Sequence, residues 1–406
     1  MQQGKIRQER GAQYQNLLSM LGEHRHDSGD TGPSLRAGHM RSIVNSYRLA
    51  EAYKEKSKIA YVSEQFPTEI VFPFGMIPWN IESMSIMLAQ SVDVNRIFQL
   101  TQEQQLSRDI CSFLRGPFGM MLADCYPTPD IVLTNNQPCE GLSKLGFMSG
   151  KRYEIPALAL HTPNTIDEDS LTYLVKQIED MMSQIADLLG VELDPNLLRS
   201  AVEHSNEARE YYIKTLQLLQ AHRLPGVSRE LQEIFGMNYF GVKENAQICK
   251  VLYEEARELV GRETNKGKRV LWIGQVPEES HELLQHMSRV VDIVYWAPMW
   301  EGNRLMLDEE RPLRSIAERA ILYHWNAERM TTDISWICDN YEIEGFLVAY
   351  VWGCRNMMGV SPALRDLARD RKLKFLSIDI DLIDRSNNYA FNHIKNRVDA
   401  FLELMQ

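Results

Sequence analysis

Three of the six cysteines in this 406-residue chain sit where a thiolate can do chemistry. Cys354 follows the apolar run Phe346–Val351 just past the break at Gly353. Cys139 follows a second apolar run, Asp130–Thr134, across the turn-forming sequence NNQP. Cys111 lies near the end of the helix expected at Asp93–Phe113, ahead of the helix-breaking pair Gly116-Pro117. Each of the three is at an element end, beside Gly or Pro and close to polar residues. Thiolates placed in this way can converge on a soft metal, since iron–sulfur clusters are held by cysteine sulfur. The spacing itself leaves the matter open. No C-x-x-C pair occurs, which removes ferredoxin-type and zinc-ribbon arrangements. The plain alternative is that a free cysteine is a small buried hydrophobe. That alternative fits Cys249 in AQICKVLYEEA and Cys338 in DISWICDNY, both on apolar helix faces. Cys125 in ADCYPTP fits either description, being near Cys111 in sequence and just before a loop.

Such cysteines need strands to hold them. Phe346–Val351 is short, apolar and uninterrupted, which reads as a buried parallel strand. In open α/β sheets, ligands sit at the carboxyl ends of such strands. Further strands are expected at Ile59–Val62, Met76–Trp79, Asp130–Thr134 and Ile155–Leu160, then at Arg269–Ile273, Val291–Trp296 and Phe375–Ile380. Helices are expected at Arg36–Lys54 and Asn392–Met405. Thr165 and Glu168 have capping-box spacing ahead of an apolar face carried by Leu171, Leu174, Val175, Ile178, Met181, Met182 and Ile185. From about Asp194 to Arg262 the pattern is helical, broken at Leu224-Pro225-Gly226.

The two halves share an order. Each has an opening strand and a glutamine-proline turn, Gln65-Phe66-Pro67 or Gln275-Val276-Pro277. Each then has a second strand, a strand ending at a cysteine, and a last strand. The expected architecture is therefore α/β, with two βαβ-type lobes facing each other across a cleft. The divisions are a mobile N-terminal arm (1–35), an N-terminal lobe (36–193), a helical connector (194–265) and a C-terminal lobe (266–406). A cleft between such lobes is a usual cofactor site.

Composition narrows the function. A formal net charge of -11 argues against non-specific binding to nucleic acid or anionic membrane. No run of about eighteen apolar residues marks a membrane span, and the N-terminus MQQGKIRQERGAQYQ lacks a signal-peptide core. A cytoplasmic location is expected. Six cysteines are too sparse for a disulfide scaffold, so clustered ones point to metal binding or catalysis.

The pieces FPTEIVFPFGMIP, DICSFLRGPFG, PDIVLTNNQPCEG, RPLRSIAERA, WGCRNMM and DIDLIDRSNNYAFNHIKNRVDAFLELM occur in that order. Together they resemble the 2-hydroxyacyl-CoA dehydratase component D family, which also contains the benzoyl-CoA reductase subunits. The resemblance runs from about residue 36 to the C-terminus. It implies two Rossmann-like lobes around one 4Fe–4S cluster held by Cys111, Cys139 and Cys354. With three cysteine ligands, the fourth iron stays open to water or substrate.

The resemblance also implies a reaction. The family's dehydratases remove water from (R)-2-hydroxyacyl-CoA thioesters to give enoyl-CoA. The obstacle is the C3 proton, which is not acidic. One low-potential electron added to the thioester carbonyl gives a ketyl radical, which expels the 2-hydroxyl and acidifies C3. The electron is returned at the end. Glu82, in WNIESM, matches the position of a glutamate proposed as base or proton relay; the ordinary alternative is a solvated helix-start carboxylate. The polar loop Ser63, Glu64 and Gln65 is expected to reach the cleft, although some dehydratases carry a Ser where Glu64 stands. Arg115 and Arg355 flank ligand cysteines, with a role at the cluster, at CoA or in plain surface solvation. Trp352, His161 and Asn136 are expected around the ligands. No G-x-G-x-x-G or Walker A pattern occurs, so any ATP use belongs to a partner. The implied partners are a homologous second subunit in a heterodimer, a separate Fe–S ATPase activator and an acyl-CoA substrate. Competing functions are a benzoyl-CoA-type reductase subunit, a non-catalytic electron-relay subunit and a cluster-free two-lobed binding protein.

Overall fold

The computed structural model describes residues 10–17, 35–89, 92–237, 240–262, 267–276, 281–323, 325–381, 383 and 389–406. Its frame is a pair of four-stranded, all-parallel sheets. The first contains β1 (Lys58–Val62), β2 (Met76–Asn80), β3 (Ile131–Asn135) and β4 (Ala157–Leu160), in the order β2-β1-β3-β4. The second contains β5 (Arg269–Gly274), β6 (Asp292–Tyr295), β7 (Ile343–Val351) and β8 (Lys374–Ile380), in the order β6-β5-β7-β8. The two orders are the same. In each sheet the crossovers reverse direction between the first and third strands, which is where α/β sheets open a ligand crevice.

Both sheets are covered on both faces, so their strands read as continuous apolar runs. In β1, Ala60 and Val62 face the helix Glu168–Leu189, while Ile59 and Tyr61 face Leu88, Phe118, Met121 and Leu145. In the second sheet, Leu271, Ile273, Phe346 and Val348 face the helical connector. Trp272, Leu347 and Ala349 face Met287, Phe401 and Met405 on the other side. The connector is the helices Pro195–Ala221, Val227–Met237 and Lys243–Leu259, broken at 222–226 as expected.

Several local expectations differ from what is found. The expected helix Asp93–Phe113 ends at Glu103, and Cys111 is instead the residue before a new helix, Ser112–Leu122. Gly116 and Pro117 lie inside that helix and do not break it. Gly116 is needed there for packing: a Cβ on it would lie 2.8 Å from Ile383 Cδ1. The helix Glu168–Leu189 is capped by Asp167, whose carboxylate accepts from the Ser170 amide at 2.7 Å, in place of the expected Thr165–Glu168 box. Within the expected mobile arm, residues 10–17 are helical, and Arg10 is buried with its guanidinium donating to Thr128 O and Asp130. Residues 1–9 and 18–34 of that arm, Pro277 of the second glutamine-proline turn, and part of the DIDLIDRSNNYA segment lie outside the described residues.

The sheets are tied together by a buried ion cluster. Glu69, in the short helical turn after β1, takes both Arg319 guanidinium nitrogens at 2.6 Å. Its Oε1 also accepts from Ser205 Oγ at 2.7 Å, and Arg209 stands 3.9 Å away. Glu69 belongs to the first sheet's sequence, Ser205 and Arg209 to the connector, and Arg319 to the helix Pro312–Leu322. Burial alone would raise the Glu69 carboxyl, yet the Arg319 and Arg209 charges hold it down to about 2. Ile316, Ala317, Ala320 and Ile321 of the same helix pack onto the first sheet's core.

Candidate functional site

Three helices start at the three cysteines. Cys111 precedes Ser112–Leu122, Cys139 precedes Glu140–Tyr153, and Cys354 precedes Arg355–Asp370. Cys139 and Cys354 follow β3 and β7, the equivalent strands of the two sheets at their points of reversal. The free amides of a helix start favour a thiolate. The amides of Phe113, of Gly141 and Leu142, and of Asn356 and Met357 act on their own cysteines in this sense.

The loops that carry these helices converge. Gly353, at φ 79°, lies so close to the Cys111 loop that a Cβ would come within 2.6 Å of Asp109 O and 3.0 Å of Cys111 N. No other residue type fits both the conformation and the space. Asn356 Nδ2 donates to Pro138 O, next to Cys139. A Cβ on Gly141 would lie 2.4 Å from Leu114 Cδ1 and 3.3 Å from Cys139 Sγ, so the helix starts at Cys111 and Cys139 also abut. Interaction with the Cys111 thiol lowers the Cys354 thiol to about 7 against the opposing effect of burial. The same interaction, with burial, pushes Cys111 well up. Burial pushes Cys139 up to about 11, with help from the Cys354 charge.

Arg115 is buried, not surface-solvated. Its Nε donates to Ile110 O at 2.6 Å and its guanidinium lies 4.4 Å from the Phe98 ring centroid, so it braces the Cys111 loop. Arg355 and Trp352 are exposed beside Cys354. Asn136 is joined to Thr162 through both its amide atoms, and exposed His161 is bonded through its backbone to Gln177. Cys125 is packed in the first lobe's core, and Cys249 and Cys338 in the second's; burial pushes all three thiols up to about 12.

Two carboxyls adjoin the thiols. Glu82 is on the first turn of the helix Ile81–Ala89, directly after β2, and is 1% exposed rather than solvated. Its Oε2 accepts from the Glu64 amide at 3.1 Å, and its Oε1 has no partner. Burial and then the Glu64 charge push the Glu82 carboxyl well up. Glu64, half-buried beyond the end of β1, is pushed up to about 7 by burial and by Cys354. Burial thus biases both carboxyls toward their protonated forms. Sequence reasoning placed Glu64 in a polar loop and missed this pairing, which only the β1–β2 register creates.

The donor set fits an iron–sulfur group. The three thiols act on one another electrostatically, backbone amides act on each, and buried polar atoms nearby lack partners, including Glu82 Oε1 and Ser112 Oγ. Among the described residues, no three Cys, His, Asp or Glu side chains close around a single ion. A cubane makes a different demand, because each thiolate binds its own iron.

Fold and site together define a class: a two-lobed parallel α/β protein with cysteine-led helices gathered at its strand ends. Residues 64–405 match the profile of the 2-hydroxyglutaryl-CoA dehydratase, D-component family, and the chain belongs to that family. It is 23% identical over 382 residues to the (R)-phenyllactyl-CoA dehydratase alpha subunit of Clostridium sporogenes, covering 87% of this chain and 91% of that one. It is 22% identical over 301 residues to the (R)-2-hydroxyglutaryl-CoA dehydratase subunit alpha of Acidaminococcus fermentans, covering 69% of this chain and 61% of that one. Among the described residues no helix is long and apolar enough to cross a membrane.

Proposed function

We propose that this chain is the iron–sulfur subunit of a radical (R)-2-hydroxyacyl-CoA dehydratase, with a 4Fe–4S cluster held by Cys111, Cys139 and Cys354. The observation that carries the reading is the meeting of three helix-start thiols with two proton-holding carboxyls. When bound, the cluster supplies a low-potential electron and an open iron position that polarises the thioester carbonyl.

The chain's own residues handle the protons. Loss of water needs one proton given to the 2-hydroxyl and one taken from C3. Two adjoining buried carboxyls that share a single proton can do both, one giving while the other takes. We assign the C3 proton to Glu82 and the exchange with the hydroxyl to Glu64. The shared proton leaves with the hydroxyl as water and the C3 proton replaces it, so the pair ends as it began.

A cytoplasmic heterodimer with a homologous subunit, served by a separate Fe–S ATPase activator, completes the proposal. Both named relatives are alpha subunits, and the sequence has no Walker A motif. The test is anaerobic incubation of the chain with its partner subunit, activator, ATP and (R)-2-hydroxyacyl-CoA thioesters, read by mass. Loss of one water without net consumption of reductant is expected. A product that gains hydrogen, with stoichiometric ATP use, would favour the benzoyl-CoA-type reductase instead.

A further inference from the structure

The turn Ser63–Phe66 holds an anomaly. The Phe66 amide closes it onto Ser63 O at 3.1 Å, and Gln65, its third residue, has φ 62°. That position of a turn belongs to glycine or asparagine, and glutamine there is strained by about 1 kcal/mol. Gln65 is also 3% exposed, and neither Oε1 nor Nε2 has a hydrogen-bond partner. A buried amide left wholly unpaired is costly and calls for an explanation. The chain thus accepts backbone strain and an unsatisfied side chain at one residue.

The turn is held rigidly on both sides. Ser63 Oγ donates to Asn135 Oδ1 at 2.7 Å and accepts from the Asn135 amide at 3.1 Å, and the Ser63 amide continues the sheet to Leu133 O. The Glu64 amide is fixed on Glu82. The turn stands at the carboxyl end of β1, beside the strand that leads to Cys139, and its Glu64 lies within electrostatic reach of Cys354. Buried, preorganised and unpaired polar atoms at a crevice are what a site offers to a ligand that reproduces their bonds.

An amide offers one donor group and one acceptor side by side. Its complement is a ligand with an acceptor and a hydroxyl donor on adjacent carbons. A 2-hydroxyacyl thioester has this arrangement, and an acyl thioester without the hydroxyl lacks half of it. We infer that Gln65 is the residue that recognises the 2-hydroxyl, its Oε1 accepting from the hydroxyl and its Nε2 donating to an oxygen of the same acyl head. This inference rests on the acyl-CoA reading above. It makes Gln65 a specificity residue, with Glu64 and Glu82 beside it for the protons.

The test uses the anaerobically purified full chain with its partner subunit and two probes, (R)-lactyl-CoA and propionyl-CoA, which differ by the hydroxyl alone. Binding is read by calorimetry without activator or ATP, so turnover plays no part. Wild type is expected to favour (R)-lactyl-CoA roughly ten-fold, as one hydrogen-bonded hydroxyl typically confers. Gln65→Met keeps the bulk and removes the amide; Gln65→Gly also relieves the positive φ. Both are expected to bring the ratio to about one while keeping or raising the melting temperature. A ratio that survives in both folded variants overturns the inference. A lower melting temperature in both, with the ratio kept, makes Gln65 structural and likewise overturns it. Wild type binding both thioesters equally refutes this inference and leaves the acyl-CoA reading standing. Wild type binding neither refutes that reading, and the inference with it.

Discussion

At the scale of single residues, the thiol site depends on what surrounds the thiols as much as on the thiols themselves. That Cys139 and Cys354 follow strands was legible because each comes just after an apolar run. Their neighbours were less so. Arg115 reads as a surface charge, yet it is buried against Phe98 and fixes the loop at Ile110. Glu64 reads as a polar loop residue, yet it lies over Glu82. Neither fact is local in sequence, so no spacing could give it. Gly353 is the sharpest case. Gly353→Ala meets Asp109 O and the Cys111 backbone while holding φ at 79°. A loss of about 1–3 kcal/mol in denaturant unfolding is expected, from overpacking and backbone strain together. At Glu82, Glu82→Gln keeps shape and the Glu64 amide contact but cannot exchange a proton. It should lower kcat by about 100-fold or more with substrate binding little changed; single-turnover assays would check this, and an unchanged rate would remove Glu82 from the chemistry.

At the scale of elements, strands were far easier to read than helix ends. All eight strands were expected within a few residues of where they lie, because a strand buried on both faces is written as an apolar run. Helix ends follow subtler signals. Gly116-Pro117 looks like a stop, but both residues lie inside the helix Ser112–Leu122, where Gly116 lies so close to Ile383 that a Cβ would clash. A helix from Arg36 to about Lys54 was expected and ends at Ala52, while its cap was not visible. The Arg36 and Ala37 amides both donate to Glu255, which lies more than two hundred residues away on the connector helix Lys243–Leu259. Glu255→Ala should therefore cost about 1–2 kcal/mol, the worth of a lost cap. Circular dichroism and denaturant melts would read it, and a neutral effect would show that water replaces the carboxylate without loss.

At the scale of the whole molecule, two lobes with the same strand order are joined, among other contacts, through the buried Glu69 carboxylate. The pieces FPTEIVFPF and RPLRSIAERA stand far apart in sequence, and their joint presence had no evident reason. Glu69 and Arg319 supply it. Removing one partner leaves buried charge uncompensated, so Glu69→Gln should destabilise by about 3–5 kcal/mol. The pair also sets an acid limit. A carboxyl held at about 2 in the folded chain and near ~4.3 when unfolded stabilises fully above the unfolded value. That contribution, about 3 kcal/mol, fades as the pH falls through 4 towards 2. Wild type should therefore lose more stability between pH 5 and 3 than Glu69→Gln, as denaturant titrations at each pH would show.

The central claim is that Cys111, Cys139 and Cys354 hold one iron–sulfur cluster, and counting iron tests it most directly. The protein is purified without oxygen, and iron and sulfide are measured with EPR after dithionite reduction, on wild type and on Cys354→Ala. About four irons per chain in wild type, largely lost in the variant while the chain stays folded, is the result the account predicts. Freshly prepared anaerobic wild type without iron would contradict it, and would leave a two-lobed binding protein whose thiols are only neighbours.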